Sequence, residues 1–166
     1  YEEYFADLKK MGVPFLPYET YGRSPLENSS FLVSSANFNE KIHGKGFVAR
    51  LSGSTAEFLQ MWELMMNGEK LFTMQDGTLT FKLAPAIPAY LVKDDGKVET
   101  TLFGKIKVVY DCGSKRDLIP GQYAVTKYEL VAADGSIESC EAATVSGEAA
   151  QRIRDGKVAE IRVTIQ

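Results

Sequence analysis

The residues best suited to chemistry stand together at Ser52, Gly53, Ser54 and Thr55, just before an apolar run of helical period. A helix start leaves backbone N–H groups without intrahelical partners and carries partial positive charge. Hydroxyls at that mouth, and a glycine that lets a ligand approach the backbone, would suit a phosphate, a sulfate or the hydroxyls of a sugar. Arg50, Lys45 and His43 precede it and add local positive charge. The same residues also have a purely structural use. Ser54 and Glu57 match a capping box, in which the serine caps the helix and the glutamate reaches back, with the basic residues simply solvated.

No catalytic set can be assembled around this mouth. The chain has a single histidine, and neither a phosphate-binding P-loop pattern nor a serine-hydrolase elbow occurs. Glu27, Glu40 and Glu57 are candidates only through their nearness to the mouth, and Asp94, Asp95 and Asp134 read as turn residues. Cys112 and Cys140 do not make a disulfide framework, and with His43 alone they offer no metal site, so both are expected as free thiols. The expected cofactor list is empty.

The elements that must position the mouth follow from the pattern. Phe58, Met61, Trp62, Met65 and Met66 line one helical face, closed by Asn67-Gly68, and read as core. Upstream, Tyr1 to Met11 reads as a helix stopped by Gly12, and Gly12 to Tyr21 as a loop. Ser24-Pro25-Leu26-Glu27 predicts a second helix start, its helix carrying Phe31, Leu32 and Val33 and ending before a loop from Asn37 to Gly46. Tyr1 falls inside a helical pattern with no visible N-cap, which predicts further chain before it.

After Gly68 the period shortens. Thr78–Leu83, Val98–Phe103, Lys105–Tyr110, Tyr123–Ala132, Ile137–Ala142 and Lys157–Ile165 read as strands, with Asp134-Gly135 as a hairpin turn and Ser146–Arg154 as a short helix. The division expected is residues 1–68, helical, and 69–166, an antiparallel β-sandwich or jelly roll, hence an α+β chain.

Composition bounds the partners. Of 166 residues, 45% are hydrophobic and 25% charged, as in an ordinary globular protein, and the formal charge of −3 gives no general attraction to nucleic acid or anionic membranes. No apolar run reaches the roughly 20 residues of a membrane span, and no signal peptide opens the chain, so a cytoplasmic location is expected.

The order of segments is also informative. Tyr21-Gly22-Arg23-Ser24-Pro25-Leu26-Glu27-Asn28-Ser29-Ser30-Phe31, then Gly44-Lys45-Gly46, then Ala49-Arg50-Leu51-Ser52-Gly53-Ser54-Thr55-Ala56-Glu57-Phe58, resembles the last part of the helical barrel of glycoside hydrolase family 94, the inverting sugar phosphorylases. The run looks closest to the 1,2-β-oligoglucan phosphorylase branch. Leu83-Ala84-Pro85-Ala86-Ile87-Pro88-Ala89-Tyr90 resembles the crossing into that family's C-terminal jelly roll, and the likeness fades after Tyr110.

The resemblance implies the last helices of an (α/α)6 barrel followed by a β-sandwich. It also implies phosphorolysis of β-glucosidic bonds, with inorganic phosphate as co-substrate and an oligosaccharide or β-glucan as substrate. Phosphate attacks the anomeric carbon while an acid protonates the leaving oxygen. The family's Thr-Gly phosphate pair corresponds to Ser52-Gly53, with Ser54 beside it. A sugar-contacting position falls near Ser34 or Ser35, and Arg50 lies close to the substrate side. The general acid lies upstream, so the isolated chain is expected to be inactive without the remainder of the barrel; family members are often homodimers. The competing expectation is a non-catalytic carbohydrate-binding or structural β-sandwich module, in which Tyr90, Phe103, Tyr110, Tyr123 and Tyr128 could offer a stacking platform while most of them fill the sandwich core.

Overall fold

A computed structural model describes residues 1–12, 16–21, 29–44, 46–49 and 52–166; the side chains of 18, 21, 29–32, 46–49 and 52–55 fall outside the description. The chain divides into two compact units, Tyr1–Met61 and Trp62–Gln166.

In the first unit α1 (Glu2–Met11) carries Glu2 and Glu3 in its first turn and Lys9 and Lys10 in its last, both favourable against the helix dipole. It buries Phe5 and Leu8, which stand three residues apart on one stripe, and stops at Gly12. A short helix α2 (Tyr18–Tyr21) lies where a loop was expected. The strand β1 (Ser29–Leu32) then pairs antiparallel with β2 (Gly46–Ala49), Phe31 opposite Val48. This corrects the expected helix through Phe31, Leu32 and Val33. A three-residue aromatic and branched run fits strand and helix periods equally, and pairing with Val48 and Gly46 decides for the strand. The α3 helix (Ser52–Asn67) follows and runs across the division between the units.

In the second unit β3 (Phe72–Gln75) and β4 (Thr78–Phe81) form a hairpin around Asp76-Gly77, with φ of 48° and 76°. Both central residues are left-handed, which is the two-residue turn that Asp-Gly serves best. The strand β5 (Lys97–Leu102) returns as β6 (Ile106–Asp111), and β7 (Val125–Val131) returns as β8 (Ile137–Cys140). Gly135 N–H bonds to Ala132 O at 3.0 Å in the expected Asp134-Gly135 turn. Two residues of β9 (Val145–Ser146) lead into α4 (Gly147–Arg154), and β10 (Glu160–Ile165) ends the chain.

The strands of the second unit make two sheets, β3-β4-β9 and β5-β6-β10-β7-β8. The chain is thus α+β with mainly antiparallel pairing. One pair departs from that rule: β10 is antiparallel to β7 but parallel to β6. β6 and β7 run in opposite directions with one strand's width between them. The strand that fills the gap can be antiparallel to only one of them.

Alternation along β6 and β10 buries Ile106, Val108, Tyr110, Ile161, Val163 and Ile165. Phe81 from the smaller sheet meets Tyr128 from the larger edge-on at 6.1 Å, so the sheets share one core. The opposite face of the large sheet is a ladder of alternating charge. Glu99 meets Lys93 and Lys107, Lys107 meets Glu160, Glu160 meets Arg162, and Lys127 meets Glu129 and Glu141. Such exposed pairs contribute little to stability but keep that face in water.

Between α3 and the sheets the extended crossing Leu83–Ala89 is fixed group by group. Leu83 N–H donates to the Tyr128 hydroxyl at 3.0 Å, Ala84 to Asn67 O, Ala86 to Met65 O, Ile87 to Leu118 O, and Ala89 to Asp117 Oδ1 at 2.6 Å. Pro85 and Pro88 have no N–H to place. Every backbone donor of a crossing without regular structure therefore finds a partner.

Candidate functional site

The helix mouth is built by a strand that feeds a helix. β2 ends at Ala49, and α3 starts at Ser52. Ser52, Gly53 and Ser54 are therefore the first three helical residues, whose N–H groups have no carbonyl one turn back to meet. The expected capping box is corrected by this start. Ser54 and Glu57 lie inside the helix rather than at its cap, because α3 begins two residues earlier than Ser54. Glu57 is exposed, and no acidic residue stands in the first turn to oppose an anion. Arg50 and Lys45, named from the sequence, lie outside the described residues, as does Glu27.

Ser34 and Ser35 are exposed in a turn that follows β1. Ser34 Oγ accepts from Ala36 N–H at 3.2 Å, and its carbonyl accepts from Asn37 N–H at 3.1 Å. The connection onward to β2 is closed by its own polar groups. Asn37 Oδ1 accepts from Asn39 N–H, Asn39 Oδ1 accepts from Lys41 N–H, and Gly44 N–H bonds back to Val33 O at 2.8 Å. His43 Nε2 lies 2.8 Å from Asn37 O. A carbonyl only accepts, so the ring must donate there, and that nitrogen is spent on the loop rather than on an anion. Phe38 projects from the same loop, 98% exposed, which the sequence did not single out. Glu40 begins a single 3-10 turn and is exposed.

In the second unit the aromatic candidates separate by burial. Tyr110 and Tyr128 are fully buried, and Tyr123 is half-buried with its hydroxyl donating to Pro85 O at 2.7 Å. These three hold the fold, and a stacking platform would keep only Tyr90 and Phe103. Met65 and Met66 are buried, as the apolar stripe of α3 predicts.

The turn carboxylates also behave as expected. Asp95 Oδ1 accepts from Lys97 N–H, Asp94 pairs with Lys115 at 3.0 Å, and Asp134 accepts from Ser136 N–H and Oγ. The Ser136 hydroxyl and N–H hold the Asp134 carboxyl below its usual range. Both cysteines are free; burial pushes the Cys112 thiol up to about 11. Among the described residues no three His, Cys, Asp or Glu side chains converge as metal ligands, and no helix is long and apolar enough to cross a membrane.

A cleft of about 250 Å³ opens between the β7–β8 hairpin and α4, over Leu130, Ile137 and Val158. Its two cations are committed, Arg152 to Glu138 and Lys157 to Asp155, so it offers no unopposed charge to an anion.

No protein-family model, curated protein or solved structure matches the chain.

Proposed function

We propose that this chain is a segment of an inverting glycoside phosphorylase resembling glycoside hydrolase family 94, and that it supplies part of the inorganic phosphate site through the mouth of α3. The observation that carries this reading is the start of α3 at Ser52. It gives Ser52, Gly53 and Ser54 the first-turn positions where backbone N–H groups face an incoming oxyanion. The same three residues match the family's phosphate pair and its neighbour. Further support comes from the crossing Leu83–Ala89, which runs extended from the end of α3 toward the β-sheets in the order that the resemblance predicts.

On this reading α1 and α3 are the remaining barrel helices, with the β1–β2 hairpin between them, and the β-sheets are the family's C-terminal jelly roll. Phosphate held at the helix mouth attacks the anomeric carbon of a β-glucoside, and the bond to the leaving oxygen breaks as a general acid protonates it. The product is a sugar 1-phosphate of inverted configuration. The protein's contribution at α3 is to hold the phosphate in line against fixed N–H dipoles. The acid and the sugar subsite belong to the rest of the barrel. Ser34 and Ser35, exposed on their turn, and Arg50 are the candidates for contact with substrate.

The test is phosphate-dependent release of sugar 1-phosphate from a β-glucan by the full-length protein that carries this segment. Ser52→Ala with Gly53→Ala is expected to raise the KM for phosphate about tenfold or more while leaving the KM for glucan nearly unchanged. An unchanged phosphate KM, or no phosphorolysis at all, contradicts the reading.

A further inference from the structure

The two sheets treat their edges differently. The large sheet ends on β5 and β8, which carry Lys97, Glu99 and Glu138, charges of the kind that discourage edge-to-edge pairing. The small sheet ends on β3, Phe72-Thr73-Met74-Gln75, with no charge, proline or bulge. Thr73, Met74 and Gln75 are exposed, Met74 by 63%.

The register fixes which backbone groups this edge offers. Gln75 opposes Thr78 across the two-residue turn, Thr73 opposes Thr80, and Lys82 N–H reaches Leu71 O at 2.9 Å. Leu71, Thr73 and Gln75 therefore face β4, and the N–H and C=O groups of Phe72 and Met74 face outward.

We infer that β3 is a self-association edge, on which a second copy of this chain pairs antiparallel about a twofold axis through Thr73. In this register Phe72 of each copy opposes Met74 of the other, so both outward-facing residues find partners at once. Moving the axis to Phe72 or to Met74 leaves one of the two without its counterpart. The flanking charges agree with the same register. Exposed Lys70 of each copy meets exposed Asp76 of the other, opposite signs directly across the junction.

The side chains add to it. Phe72 stacks on Phe103 at 6.2 Å and 17° between ring planes, and Phe103 is half-exposed at a φ of 53°. A left-handed phenylalanine is strained. Its ring lies beside Phe72, where Met74 of the second copy would arrive, and a thioether on an aromatic pair is a favourable contact. The result is one continuous sheet, β9-β4-β3 joined to β3-β4-β9.

The experiment uses the 166-residue chain with Cys140→Ser, so that an engineered thiol is the reactive one. Thr73 on the axis opposes itself in a non-hydrogen-bonded pair, with Cα atoms about 4.5 Å apart, within disulfide range. Thr73→Cys is expected to give a disulfide-linked dimer on mild oxidation. Gln75→Cys, displaced from its own copy by about 13 Å along the strands, is expected to stay unlinked. In sedimentation equilibrium over a concentration series, the parent chain is expected to dimerise. Met74→Lys is expected to raise the dissociation constant about tenfold or more, and circular dichroism checks that it remains folded. A parent chain that stays monomeric, a dimer untouched by a folded Met74→Lys, or cross-linking no better at 73 than at 75 overturns the inference.

Discussion

Tyr110, next to the end of β6, donates its hydroxyl to the carbonyl oxygen of Met66 at 2.7 Å, closing one of the last-turn carbonyls of α3 inside the core. The carbonyls at a helix end have no intrahelical donor, and a buried one must be met from elsewhere. Tyr110→Phe keeps the ring and removes the donor. The unpaired carbonyl is expected to cost about 1–3 kcal/mol, read as a lower urea midpoint with an unchanged slope.

The pH dependence follows from the same tyrosines. Burial raises the Tyr110 phenol well above its usual value and pushes Tyr128 up to about 12. A raised folded-state pKa means that the native state holds the proton more tightly than the unfolded chain. The stability is then present below the ordinary phenol pKa near 10 and lost as pH climbs from there towards 12. Unfolding free energy is expected to fall steadily across that window. Spectrophotometric titration should show these two phenols ionising only with unfolding.

The cysteines should react in two classes. Cys112 is buried with its thiol near 11, whereas Cys140 is half-exposed and donates weakly to Thr144 O at 3.6 Å. The thiolate is the nucleophile, so a thiol reagent at pH 8 is expected to label Cys140 in the native chain and Cys112 only after denaturation.

Gly68 ends α3 at a φ of 96°, and a Cβ there would sit 3.1 Å from the backbone and Cβ of Ala84. Gly68→Ala is expected to destabilise by about 1–3 kcal/mol, since neither the left-handed backbone nor the fixed crossing can give way freely. Thermal denaturation checks it. The same change at Gly104, whose Cβ would meet nothing, probes the backbone strain alone.

Much of this architecture is visible in the residue pattern, and the failures have physical causes. The stripe from Phe58 to Met66 and the alternation through Ile106, Val108 and Tyr110 are long enough for their period to be read directly. The strand through Phe31 and Leu32 is too short to betray a period, and the expected helix start at Ser24-Pro25-Leu26-Glu27 lies outside the described residues. The β3 strand was missed because Phe72-Thr73-Met74-Gln75 alternates over only four residues, although Asp76-Gly77 was a usable hairpin signal. The insertion of β10 between β6 and β7 depends on pairings distant in sequence, which no local pattern encodes. At the helix mouth, Ser52, Gly53 and Ser54 were legible as a group. Their order along the first turn was not, because Ser54 and Glu57 also satisfy the capping pattern three residues too late.

The most direct test of the phosphate reading follows the backbone amides of Ser52, Gly53 and Ser54 by nitrogen-proton correlation spectra while inorganic phosphate is added at constant pH and ionic strength. The helix-mouth assignment predicts saturable shifts concentrated on these three amides, weakened by Gly53→Val, which puts a branched side chain where the anion must approach. Shifts that are absent, that fail to saturate, or that cluster elsewhere in the chain would contradict it.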